Sequence, residues 1–117
     1  MRRSVEPLES RLLFTVPAGF TETRLATGLA QPVAMDLAPD GSGRIFVTEK
    51  AGAVRVITSA GQVLPTPFAR FDVATEGERG MSGVEFDPDF AHNGHVYVYY
   101  TAKSPVLHNR LSRLTAA

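Results

Sequence analysis

From Phe20 onward the chain runs in short apolar stretches rich in β-branched and aromatic residues, each closed by Gly, Pro, Asn or Asp. Alternation with a period of two sends successive side chains to opposite faces of a strand, whereas a helix needs an apolar stripe every three to four residues. The stretches predict strands at 20–29, 33–38, 44–49, 53–58, 68–73, 81–86, 95–101 and 109–115. No window carries a helical stripe, so the pattern predicts an all-β chain. Pro39-Asp40-Gly41, Lys50-Ala51-Gly52 and Ser59-Ala60-Gly61 punctuate it with turn chemistry. The strongest strand signal, His95-Val96-Tyr97-Val98-Tyr99-Tyr100-Thr101, follows Asn93-Gly94, a favoured tight-turn dipeptide.

Two stretches share an outline. Met35-Asp36-Leu37-Ala38-Pro39-Asp40 leads through a turn to Arg44-Ile45-Phe46-Val47-Thr48, and Val84-Glu85-Phe86-Asp87-Pro88-Asp89 leads through a longer turn to His95-Val96-Tyr97-Val98-Tyr99. The two prolines are 49 residues apart. A repeat of that length holding about four short strands is the mark of a β-propeller blade. A β-sandwich with similar hairpins is the alternative; the spacing favours blades. Residues 20–117 then provide about two blades, and propellers close with about four to eight. The expectation is a partial propeller, the N-terminal piece of a larger one.

Residues 1–19 precede this body and read as a leader or export-associated segment without fold of its own. Arg2-Arg3 suggests an export n-region, but Leu12-Leu13-Phe14-Thr15-Val16 is shorter than a signal-peptide core of about 7–15 residues. Leu8-Glu9-Ser10-Arg11-Leu12-Leu13 resembles a short element at the N-termini of large exported proteins of some bacteria. The expected location is therefore extracellular, periplasmic or at the cell surface.

Composition removes several function classes. Twelve Lys+Arg balance twelve Asp+Glu among 117 residues, so there is no net field to gather nucleic acid. Cysteine is absent, which excludes disulfides, thiolate zinc sites and a thiol nucleophile. No apolar run nears the ~18 residues of a membrane span.

Chemistry concentrates at Gly77-Glu78-Arg79-Gly80. Its glycines allow close backbone approach, and Glu78 and Arg79 set a carboxylate next to a bidentate donor. The plain reading is a solvated loop with a neutral charge pair. His92 and His95 straddle a turn and strand start, a spacing that does not aim both rings at one metal. Asp87, Asp89 and Asn93 are oxygen-rich but lack the ligand spacing and distal Glu of a calcium hand, so turn capping is expected of them. Gly41-Ser42-Gly43 precedes no helix and is no phosphate loop.

The strings Thr27-Gly28-Leu29, Gln31-Pro32-Val33-Ala34-Met35, Ala38-Pro39-Asp40-Gly41, Arg44-Ile45-Phe46-Val47-Thr48-Glu49-Lys50, Gly77-Glu78-Arg79-Gly80, Phe86-Asp87-Pro88-Asp89-Phe90 and His108-Asn109-Arg110 occur in order and in register. Together they resemble the glucose/sorbosone dehydrogenase family, the soluble PQQ-dependent aldose dehydrogenases. The resemblance covers essentially everything after residue 19. It implies a six-bladed propeller that holds PQQ and calcium over its central channel and oxidises the anomeric carbon of sugars, passing electrons to an acceptor.

Carried over residue by residue, the resemblance makes Glu78 the substrate-contact candidate. The family's catalytic base, cofactor-binding arginines and calcium ligands fall beyond residue 117, so no catalytic or metal residue is assigned here. His108 lies in a family string and reads as structural. Met81-Ser82 stands where the family usually has Leu-Leu, and Glu85 where Ala is common. The implied protein is a PQQ-dependent sugar dehydrogenase of which this piece alone is inactive and binds neither PQQ nor calcium. The alternative is a non-enzymatic propeller module that binds carbohydrate or protein.

Overall fold

The computed structural model describes residues 16–116. Strands β1 (Pro32–Leu37), β2 (Ile45–Glu49), β3 (Ala53–Ile57) and β4 (Ala69–Arg70) form one sheet in the order β1-β2-β3-β4. Strands β5 (Met81–Phe86), β6 (His95–Ala102) and β7 (His108–Thr115) form the second, with a single helical turn, α1 (Phe90–Asn93), between β5 and β6. Every pairing is antiparallel. The all-β, partial-propeller class expected from the pattern is what the structure shows: two consecutive sheets packed on one core. The twin arginine and Leu8-to-Leu13 element lie outside the described residues.

Two local expectations give way. The 20–29 stretch forms no strand. Leu25 is exposed, and the stretch meets the sheet where Ala30 N–H donates to Glu49 Oε2 at 2.7 Å. The 68–73 strand shrinks to two residues because that segment divides its hydrogen bonds between both sheets. Phe68 and Phe71 donate to Val54 and Gly52 of the first sheet, while Val73 bridges to Ala102 of the second. The longer turn expected between β5 and β6 ends at Asn93-Gly94 and is helical. Asp87 Oδ1 accepts from Asp89 N–H, α1 winds one turn, and Gly94 ends it at φ 67°.

Alternating side chains of the two sheets interlock. Phe46, Val54 and Val56 face Val84, Phe86, Val96, Val98 and Tyr100, with the rings of Phe46 and Phe86 edge-on at 4.8 Å. Phe68 closes on the other side of Phe46 at 4.9 Å. A side-chain polar contact also crosses this seam: Phe86 N–H donates to Asp36 Oδ2 at 2.9 Å. β1 and β5 are edge strands, so this carboxylate satisfies a backbone donor that no neighbouring strand reaches.

Antiparallel pairing sorts the connections into two rims. At one lie the start of β1, the β2–β3 turn, the link into β5 and the β6–β7 turn, as the pairs Pro32 with Glu49, Met81 with Tyr100 and Ala102 with His108 require. At the other lie the β1–β2 and β5–β6 turns.

The β1–β2 turn is tied by Asp40, which accepts from Ser42 N–H and from Arg44 Nη2, each at 3.0 Å. Hydrogen bonds from Ser42, aided by Arg44, pull its carboxyl down to about 2. Asp87 is lowered by the Asp89 N–H and then by the Tyr97 hydroxyl. A carboxyl depressed in the folded state stabilises above its unfolded pKa, and that contribution is lost as pH falls through the folded value. For Asp40 the window runs from 3.8 to about 2. The melting midpoint is expected to drop across that window, and D40N to flatten the drop. An acid limb identical in parent and D40N contradicts this.

Candidate functional site

The link from the first sheet to the second, residues 74–80, carries Glu78. Both its ends are sutured by backbone. Ala74 N–H donates to Thr101 O at 3.0 Å, and Thr101 N–H donates back to Gly80 O at 3.1 Å, fixing the loop to β6. Met81 N–H donates to Lys50 O at 3.1 Å, fixing it to the end of the first sheet. The Lys50 ammonium adds a bond from Nζ to Gly77 O at 2.6 Å. A lysine on a four-carbon stem thus clamps the loop one residue before Glu78.

Glycine is required at Gly80 for two reasons. Its φ is 128°, and a Cβ there would stand 2.5 Å from Lys50 O. Gly77, at φ 61°, faces open space. Between them Glu78 stands exposed on the rim.

Arg79 is not its partner. Its Nη1 lies 3.9 Å from Glu76 Oε1 and its N–H donates to Glu76 O, so the neutral pair within the loop is Glu76–Arg79. Glu78 is left facing outward, able to accept hydrogen bonds from a ligand above the rim.

The other sequence candidates sort by rim. Asp87, Asp89, His92, Asn93 and His95 occupy the rim opposite Glu78. There His92 Nδ1 lies 2.7 Å from Asp89 Oδ1, and Asp87 Oδ2 accepts from the Tyr97 hydroxyl at 2.8 Å. His108 is on the Glu78 side, but its ring is committed to the β6–β7 turn. Nδ1 donates to Val106 O at 2.6 Å, leaving Nε2 to accept from Arg110 Nη2 at 3.0 Å.

Two contributors escaped sequence reasoning. Lys50 is 27 residues from Gly77 in the chain, and Asp36 is 50 from Phe86. Neither pairing has a signal in spacing. Gln31, a non-glycine residue held at positive φ (50°), accepts at its carbonyl from Lys50 N–H at 3.0 Å and brings β1 to the same rim.

The PQQ and calcium implied by the resemblance were tested against this donor set. Calcium takes about six to eight oxygen ligands. Among the described residues no three acidic or histidine side chains converge on a point. A quinone bearing carboxylates calls for free cations, yet Lys50 and Arg79 are engaged with Gly77 and Glu76. The rim of this chain does not fit the pair by itself. Among the described residues, no helix is long and apolar enough to cross a membrane.

Solved structures reproduce the two-sheet arrangement. A glucose dehydrogenase-type oxidoreductase of Thermus thermophilus superposes with TM-score 0.72 and 28% identity, over 81% of this chain and 28% of its own. The PQQ-bound aldose sugar dehydrogenase of Streptomyces coelicolor does so with TM-score 0.67 and 27% identity, over 80% of this chain and 27% of its own.

Among curated proteins, the Hedgehog-interacting protein of Homo sapiens is 33% identical over 88 residues, 70% of this chain and 13% of its own length. The Mus musculus protein is 35% identical over 81 residues, 64% of this chain and 12% of its own. The chain thus spans about an eighth of the curated relatives it matches. The family model for glucose/sorbosone dehydrogenase matches residues 29–117, from just before β1 through β7 and the whole rim loop. Matched across both sheets and the loop that joins them, the chain belongs to the glucose/sorbosone dehydrogenase family.

Proposed function

We propose that residues 20–117 are the N-terminal two blades of a PQQ-dependent sugar dehydrogenase, and that Glu78 contacts the sugar. The observation that carries this is the exposed Glu78 carboxylate on a loop sutured to both sheets, within a segment matched to the dehydrogenase family. A rigid loop holds a hydrogen-bond acceptor in place at little entropic cost to the complex. Sugar hydroxyls are the donors it suits.

PQQ, with calcium, is held in this reading by residues beyond the 117, and supplies the redox chemistry. This chain's part is to orient the sugar. Alone it is inactive, and the whole protein works outside the cytoplasm, residues 1–19 serving as the export-associated segment. The electron acceptor is a separate molecule.

The non-enzymatic reading has its own support: identity to the Hedgehog-interacting proteins exceeds that to the solved dehydrogenases, 33% against 28%. In that reading the rim engages a protein or carbohydrate without oxidation.

The test grafts residues 29–117 in place of the matching blades of the Streptomyces coelicolor aldose sugar dehydrogenase. Folding and PQQ binding are checked first, then sugar-dependent dye reduction is measured. Removing a hydrogen bond to a charged acceptor is worth about 1.5–3 kcal/mol, so E78A should lower kcat/KM about ten- to hundredfold with PQQ affinity unchanged. A folded, PQQ-loaded graft that reduces no dye with any aldose supports the binding module. A graft indifferent to E78A removes Glu78 from the substrate site.

A further inference from the structure

Gln31 and Gly80 occupy the same place in the internal repeat, 49 residues apart like Pro39 and Pro88. Each lies just before the first strand of its sheet. Pro32 pairs with Glu49 as Met81 pairs with Tyr100, and both pairings shift register at the next step. Both carbonyls accept a backbone N–H across the hairpin, Gln31 O from Lys50 at 3.0 Å and Gly80 O from Thr101 at 3.1 Å. Both residues hold a positive φ, 50° and 128°. The fold thus asks for this backbone twice, and glycine is the residue that takes it without strain.

In the first sheet the place is filled by glutamine instead. Positive φ is uncommon outside glycine, asparagine and aspartate, and Pro32 further biases the residue before it towards extended conformations. The strained backbone carries a long amide side chain, and residue 31 is exposed on the rim. Strain of this kind collects at ligand sites.

The same rim carries Glu78, and one residue ties the two together. Lys50 donates its N–H to Gln31 O, accepts from Met81 N–H, and donates from Nζ to Gly77 O at 2.6 Å. The strands that follow, β1 and β5, are edge strands joined by the Asp36–Phe86 bond. Gln31 and Glu78 therefore stand at the heads of neighbouring strands, on backbone held by a single lysine.

We infer that Gln31 is a second sugar contact beside Glu78 and selects the hydroxyl pattern that the rim accepts. Its role rests on the rim's being a sugar site. A carboxylate only accepts hydrogen bonds, so Glu78 reads a donated hydroxyl proton and little else. The Gln31 amide both donates and accepts. It suits adjacent hydroxyls of one ring, its NH2 giving to one oxygen and its Oε1 taking from the next. A site that hydrogen-bonds a hydroxyl rejects the sugar that lacks it.

The test uses the graft of residues 29–117 in the Streptomyces coelicolor enzyme, its PQQ reduced beforehand so that sugar binds without turnover. Calorimetry reads the affinity for D-glucose. Q31A removes the amide and keeps the backbone strain, and should weaken binding about two- to tenfold. The monodeoxy glucoses supply the signature: the Q31A penalty should vanish for a sugar lacking the hydroxyl that Gln31 holds, and persist for the others. In the full 117-residue chain neither Q31A nor Q31G should lower the melting midpoint, since the residue is exposed and glycine relieves the strain. Glucose affinity indifferent to Q31A overturns the assignment, as does a penalty equal for glucose and every monodeoxy glucose. So does a Q31A chain that melts well below the parent, because the glutamine would then serve the fold. In each of these cases E78A still reports on Glu78 by itself. A graft that binds no glucose overturns the roles of Gln31 and Glu78 together. Dye reduction enters none of these readings, so failure of oxidation and failure of Gln31 are told apart.

Discussion

Phe46→Ala is expected to destabilise the chain by about 3–5 kcal/mol. The ring is fully buried, lies between Phe68 and Phe86 at 4.9 and 4.8 Å, and has the Arg44 guanidinium over it at 5.7 Å. Truncation removes the apolar transfer term and leaves a cavity that two facing sheets cannot close without parting. Folded domains have only about 5–15 kcal/mol to lose, so most of the folded population is at risk. Urea unfolding at fixed protein concentration reads the effect. Phe46→Leu, which keeps much of the volume, should lose less than half as much. Equal losses for the two, or a loss under about 1 kcal/mol for alanine, would show that the seam between the sheets is not packed as described.

Gly80→Ala is the second large effect, at about 2–4 kcal/mol. An added Cβ meets two penalties at once: a φ of 128° that L-residues rarely adopt, and the Lys50 carbonyl 2.5 Å away. That carbonyl accepts the Met81 N–H that fixes the loop, so relief of the clash breaks the suture. Gly77→Ala is the control, since only its φ of 61° is unfavourable; it should cost about 1–2 kcal/mol. Hydrogen exchange gives the signature: Met81 and Thr101 amides lose protection in G80A and keep it in G77A. Equal behaviour of the two variants contradicts the close approach at Gly80.

Most strands could be read from the chain because local alternation and local turn residues define them. Met81–Phe86 falls at the predicted bounds. Where the pattern misled, the missing ingredient was a partner strand or a second sheet. The 20–29 stretch has apolar residues only at Phe20, Leu25, Ala26 and Leu29, no strand among the described residues pairs with its backbone, and Leu25 stays 62% exposed. The 68–73 stretch is apolar because it sits between two sheets, and for the same reason it forms a full strand in neither. The one-turn α1 is too short to show a period.

The site was legible as a loop and not as a geometry. Three glycines around Glu78 flagged Gly77 to Gly83, but nothing in the sequence foretold that Arg79 turns to Glu76. Nor did it point to Lys50, 27 residues away, as the clamp. Long-range contacts of that kind are set by sheet packing, which one sequence does not spell out. Met81 and Glu85, departures from the family's usual residues, have distinct places. Met81 is buried in the core, where a flexible thioether fills the space, and Glu85 is exposed on the second sheet.

In the proposed function the sutured rim loop presents Glu78 to a sugar. A crystal structure of the grafted dehydrogenase with bound aldose and PQQ measures this directly. A Glu78 carboxylate oxygen is expected about 2.6–3.2 Å from a sugar hydroxyl, with the Lys50–Gly77 bond intact. A sugar ordered in the site with neither Glu78 oxygen within hydrogen-bonding reach would contradict it.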